Sequence, residues 1–118
     1  MKHHKKRRAL GRNRAGRTGL LRSLARSLVL KEGITTSIAK AKELRPFVEH
    51  LISTSKRNTV ASKRLVSSRL GGALDAVTKL HAIIAPRFRH RHGGYTRIIR
   101  IGRVGKRVIE SARIEILT

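Results

Sequence analysis

The chain has 118 residues, a single-domain size, and folding can bury roughly two-thirds of its unfolded surface, so one modest core is expected. Its 29 Lys and Arg face only 6 Asp and Glu, and the resulting net charge of +23 repels itself unless a polyanion neutralises it. With zero cysteines, disulfides, cysteine-held zinc, iron–sulfur clusters and thiol catalysis are excluded together.

Met1 to Arg17 carries eight Lys or Arg, two His and no acid, and is too poor in apolar residues to fold alone. It reads as a basic extended segment, with a single globular domain from Thr18 to Thr118. A transit peptide is the lesser alternative for this start, while Arg22 and Arg26 interrupt LLRSLARSLVL and argue against a secretory signal. Thr18 is a suitable N-cap for a first helix in which Leu20, Leu21, Leu24, Ala25 and Leu28 recur at helical spacing. Glu32-Gly33 supplies the stop, with Gly33 suited to a left-handed C-cap position.

Alternation in ITTSI, Ile34 to Ile38, predicts a short strand. A second helix follows with a stripe of Ala41, Leu44, Val48, Leu51 and Ile52, which Pro46 is expected to kink or split. Thr59 to Leu70 is a third, weakly patterned helix broken at Gly71-Gly72. Leu74, Val77, Leu80 and Ile84 mark a fourth, which should end before Pro86. YTRIIRI and SARIEIL then read as antiparallel strands joined by GRVGKRVIE. The fold class is therefore α+β, about four helices packed on a small sheet of about three strands.

Among polyanions, phosphate suits the guanidinium fork best, and a membrane surface suits the chain poorly because it has no Trp and only Phe47, Phe88 and Tyr95 as aromatics. The longest apolar runs, such as Leu28 to Leu30, are too short to span a bilayer. In RFRHRHGGYTRIIRIG, Arg87 to Gly102, the pair His90-x-His92 invites a metal, but no carboxylate lies between Asp75 and Glu110 to supply a third ligand. The GRVGK run lacks the spacing and hydroxyl of a phosphate-binding NTPase loop. Scattered carboxylates offer no acid-base pair, and Glu43 and Glu49 are explained by oppositely charged helical neighbours, so no catalytic residue, metal or cofactor is expected. Three aromatics are too few for a base-stacking platform, which leaves phosphates, 2′-hydroxyls and shape, and hence folded RNA. Charge alone would equally serve a histone-like DNA-binding protein. A metal-dependent nuclease is disfavoured for want of clustered carboxylates.

Three stretches narrow this. MKH with LGR and RTGLLRSLARSL, including Arg17, Leu20, Arg22 and Ser27, resembles the basic start and first helix of the bacterial large-subunit ribosomal protein seventeen family. ITTSIAKAKELRPFVEHLI, above all Ala39 to Arg45, is similar to that family's most recognisable segment, and APRFRHRHGGYTRIIRI resembles its GGYTRI signature. The chain ends in RIEIL like the family's last strand, although Arg7 stands where Gly is common and Gly71-Gly72 where helix formers are usual. The resemblance implies a non-catalytic constituent of the large ribosomal subunit that binds and helps fold its rRNA near the peptide exit region. It also implies contact with neighbouring protein thirty-two, no homo-oligomer, and a cytoplasmic bacterial ribosome, an organellar one being the lesser alternative. It puts RNA contacts at Lys2, His3, Lys5, Lys6, Arg8, Arg12, Arg14, Arg17, Arg22, Lys40, Lys42, Arg87, Arg89, Arg91 and Arg97. Gly93 and Gly94 are expected to turn the chain, with Tyr95 and Arg97 serving both the strand and the RNA.

Overall fold

In the computed structural model, residues 13–103 and 109–118 are described. Helix α1, Arg14–Lys31, starts at Asn13, whose side chain accepts from the Gly16 amide at 2.8 Å. The expected cap, Thr18, instead lies within the helix and donates its hydroxyl to the Arg14 carbonyl. Asn is the stronger cap and comes earlier, and Arg14, Ala15 and Arg17 extend the helix readily.

The stop also differs from expectation by one residue. Glu32, not Gly33, takes the left-handed C-cap position at φ 63°, and its amide donates to the Leu28 carbonyl. Arg87 and Lys79 hold the Glu32 carboxylate, which offsets the roughly 1–2 kcal/mol that left-handed backbone costs a residue with a Cβ. A Cβ at Gly33 would meet the guanidinium of Arg113, the far end of a flexible side chain that can move aside, so a larger residue there would displace Arg113 without straining the backbone.

Strand β1, Gly33–Ser37, pairs antiparallel with β3, Ser111–Ile116, and β3 pairs antiparallel on its other side with β2, Thr96–Gly102. The order β1-β3-β2 puts the last strand in the centre. Ile34, Ile114 and Ile98 stand in one row facing the helices, while Thr35, Arg113 and Ile99 form a row on the opposite, open face. The expected turn in GRVGKRVIE includes residues 104–108, which lie outside the described residues.

Helix α2, Ile38–Ser55, takes Ser37 as its cap, so Ile38, read as the last strand residue, opens the helix instead. Pro46 does not split it. Its ring lies on the exposed side, and burial of Ala41, Leu44, Val48, Leu51 and Ile52 outweighs the ~3 kcal/mol cost of an interior proline, since each larger apolar side chain contributes about 1.5–3 kcal/mol. Helix α3, Val60–Arg69, begins at the expected Thr59 with a reciprocal capping box to Ser62, and Gly71 and Gly72, both at positive φ, follow it.

The next helical stretch runs further than predicted. It comprises α4, Leu74–Lys79, a π-helical turn Leu80–Ile84 and α5, Ala85–Arg87, so the chain stays helical through Pro86. In the wider π turn the Ala85 amide reaches back to the Leu80 carbonyl. Pro86 then falls in the first turn of α5, the helical position at which proline is best tolerated. Leu28, Val29, Leu44, Leu51, Leu80, Ile84, Tyr95 and Ile114 meet in the one core, buried between the helices and the sheet. The α+β architecture expected from the sequence is thus the one observed.

Candidate nucleic-acid interface

The basic loop after α5 is built from beneath by one face of α2. Glu49, Ser53 and Lys56 lie four and then three residues apart, which stacks them along the helix. Glu49 Oε1 accepts from the Gly94 amide at 3.1 Å, and its Oε2 accepts from the Thr96 amide at 3.3 Å and the Thr96 hydroxyl at 2.7 Å. Lys56 Nζ donates to the Arg91 carbonyl and, at 3.2 Å, to the Tyr95 hydroxyl, which also lies 3.1 Å from Ser53 Oγ. Gly93 and Gly94 turn between these anchors at φ 91° and 63°. Both are left-handed values that a glycine adopts without strain.

Entry to the loop is fixed separately. Arg87 binds Glu32 and donates to the Leu117 carbonyl at 3.2 Å, so its guanidinium ties α5 to the end of α1 and to the C-terminal strand. Phe88 is buried against Tyr95, with ring centroids 5.0 Å apart. Between these fixed points Arg89, His90, Arg91 and His92 are exposed, and the side chains of Arg89 and Arg91 have no partner among the described residues. A pinned backbone carrying free guanidinium groups can bind phosphate without first ordering a loop.

The residues expected to meet RNA fall into distinct settings. Lys2, His3, Lys5, Lys6, Arg8 and Arg12 lie outside the described residues. Arg14 and Arg17 open α1, and Lys40 and Lys42 sit in the first turns of α2, with Arg14 and Lys42 exposed. Arg22 donates to the Arg69 and Ser68 carbonyls, closing the end of α3. Tyr95 is 1% exposed and offers no ring face to a base, whereas Arg97 is exposed on the sheet and paired with Glu115 at 3.0 Å. Arg87 and Tyr95 therefore shape the loop, and Arg89 and Arg91 are its outward charges. The importance of Glu49 is invisible to helical spacing: the Arg45–Glu49 neighbour pair is present, yet its longer-range partners are the loop amides. Lys63 and Arg64, exposed on α3, escape sequence reasoning because that helix carries little pattern.

The same pairing explains the acids. Hydrogen bonding from Arg87, aided by Lys79, holds Glu32 below the ordinary carboxylate value, as Arg26 does for Asp75 and Arg113 with Arg97 for Glu115. Burial pushes Glu49 up, but the Thr96 hydroxyl, Arg45 and the two loop amides outweigh it. Because these carboxyls titrate lower when folded, the unfolded chain binds more protons in acid. Their contribution is complete above the unfolded glutamate value of 4.5 and is lost as pH falls through the folded values. The thermal midpoint should accordingly drop as pH falls below that value, and Glu32→Gln should flatten the drop. A midpoint independent of pH there would contradict these pairings.

Glu49→Ala should release the loop while leaving the core intact. Removing hydrogen bonds worth about 1–3 kcal/mol locally predicts exchange of the Gly94 and Thr96 amides roughly tenfold to a hundredfold faster. Unchanged protection would show that the loop is held by something else.

Among the described residues no group of three or more His, Asp or Glu is placed to hold a metal, and no helix is long and apolar enough to cross a membrane. The assembled surface suits electrostatic binding of a polyanion. The family model for ribosomal protein L17 matches residues 20–117. Curated relatives carry the name large ribosomal subunit protein bL17. That of Hydrogenobaculum sp. is 48% identical over 101 residues, covering 86% of this chain and 85% of its own. That of Thermomicrobium roseum is 47% identical over 102 residues and covers 86% of each. The Sphingopyxis alaskensis protein is 46% identical over 102 residues, 86% of this chain and 73% of its own.

Proposed function

The chain belongs to the ribosomal protein L17 family, and from that premise we propose that it is a structural, non-catalytic constituent of the large ribosomal subunit that binds and helps fold large-subunit rRNA. The observation that carries the rRNA reading is the pinned loop from which Arg89 and Arg91 project unpaired among the described residues. Phosphate is the ligand that such guanidinium groups match, by charge and by paired donors. Arg14, Arg17, Lys40, Lys42 and Arg97 add charge nearer the sheet and helix ends, and the basic segment up to Arg12 is proposed to enter rRNA crevices. A position near the peptide exit region, beside protein thirty-two, belongs to the same proposal and rests on the family resemblance.

The test is retention. Salt weakens phosphate binding steeply, by about 0.9 in the log-log slope for each phosphate engaged on duplex DNA, so a chain held by phosphate charge alone is shed in a stringent wash, whereas one also fitted by shape into folded rRNA is kept. Washed large subunits should keep this chain. Recovery mainly with DNA, or free in lysate, would overturn the proposal.

A further inference from the structure

Helix α3 and the α4 to π-turn segment do not close on each other. Between them lies a depression of about 860 Å³ floored by Val60, Leu74 and Val77, with Leu74 74% and Val60 65% exposed. A smaller depression bordered by Lys56 and Arg89 adjoins it, and His81 lines both. Neither is lined by a carboxylate. Lys63 and Arg64 stand exposed on the rim with no partner among the described residues.

His81 supplies the second observation. Its Nδ1 lies 3.0 Å from the Val77 carbonyl, an acceptor only, so that nitrogen carries the hydrogen, and in the neutral ring Nε2 is left as an acceptor. Nε2 is buried without a hydrogen-bond partner, the only such side-chain atom among the described residues. That atom is enclosed, so a donor from outside the chain reaches it only when the ring turns toward the depression it lines.

We infer that this depression receives a single unstacked nucleotide of large-subunit rRNA. The base lies on the aliphatic floor, the His81 ring turns toward it, and the base amino group or the ribose 2′-hydroxyl then donates to Nε2. The flanking phosphates meet Lys63 and Arg64 on one side and Arg89 on the other. The floor has no aromatic side chain, so it holds one base by apolar contact and does not extend a stack. Arg89 would join this site to the basic loop. The inference rests on the rRNA-binding reading and adds to it a place and a type of contact.

The absence of native cysteine gives a clean probe. Ser67, which lines the depression, is replaced as Ser67→Cys, labelled with an azidophenacyl group and incorporated into large subunits before photolysis. The adduct should map to one short rRNA segment. An adduct on a neighbouring protein, or incorporated label that forms none, would overturn the inference. Failure of labelled and wild-type chains alike to enter large subunits would instead overturn the proposed function. In subunits carrying His81→Ala, acylation of the mapped ribose should rise about fivefold, the weight of one hydrogen bond. Unchanged reactivity would remove His81 from the site.

Discussion

Replacing Arg89 and Arg91 together by glutamine is expected to weaken binding to large-subunit rRNA on the order of a hundredfold, since each charge-assisted hydrogen bond contributes about 1.5 kcal/mol or more. The log-log salt slope should fall by about 1.8, because each phosphate neutralised on duplex DNA contributes about 0.9 and two guanidinium groups are removed. Neither side chain holds anything inside the described fold, so stability should be unchanged. Arg87 is different. Its guanidinium joins Glu32 and the Leu117 carbonyl, so Arg87→Gln should lower stability before it lowers RNA affinity. A slope unaffected by the double change would show that the loop does not face phosphate.

Tyr95→Ala is expected to be the most damaging single change to the fold. Large aromatic truncations in a core cost about 3–5 kcal/mol, a large share of the ~5–15 kcal/mol of an ordinary domain. The ring packs on Phe88, and the Tyr95 carbonyl accepts from the Leu117 amide at 2.9 Å, so strand entrance and loop exit converge on it. Tyr95→Phe keeps the packing and removes the hydroxyl's hydrogen bonds with Ser53 and Lys56, for an expected cost near ~1 kcal/mol. Denaturant unfolding at matched salt measures both. An alanine variant within about 0.5 kcal/mol of the parent, the scale of a neutral surface change, would contradict this placement of Tyr95.

The contrast between these residues shows what local pattern can and cannot carry. The apolar stripe of α2, the capping Thr59 and the alternating strands are legible because each depends on neighbours a few positions away. The pairing of β1 with β3 rather than β2 depends on chain ends that meet only in space. The same is true of Glu32. Its left-handed backbone is stabilised by Arg87, 55 positions away, and no rule about helix ends contains that partner. Local rules make breaks of both Pro46 and Pro86, yet buried packing around one and a π turn before the other absorb the local cost.

The candidate interface divides in the same way. A run of arginines around Gly93-Gly94 points to this loop, because phosphate binding needs that composition. Composition cannot separate the arginine committed to the fold, Arg87, from Arg89 and Arg91, which are free among the described residues. It also gives no hint that Glu49, an acidic residue in a basic protein, fixes the loop through Gly94 and Thr96.

On the proposed function, a loop pinned by Glu49 and Lys56 presents Arg89 and Arg91 to rRNA phosphate. Hydroxyl-radical footprinting of large-subunit rRNA, which reads the sugar-phosphate backbone, tests it with the wild-type chain and the Arg89→Gln/Arg91→Gln variant side by side. One protected backbone segment should become accessible in the variant while the rest of the footprint persists, and identical footprints would contradict the claim.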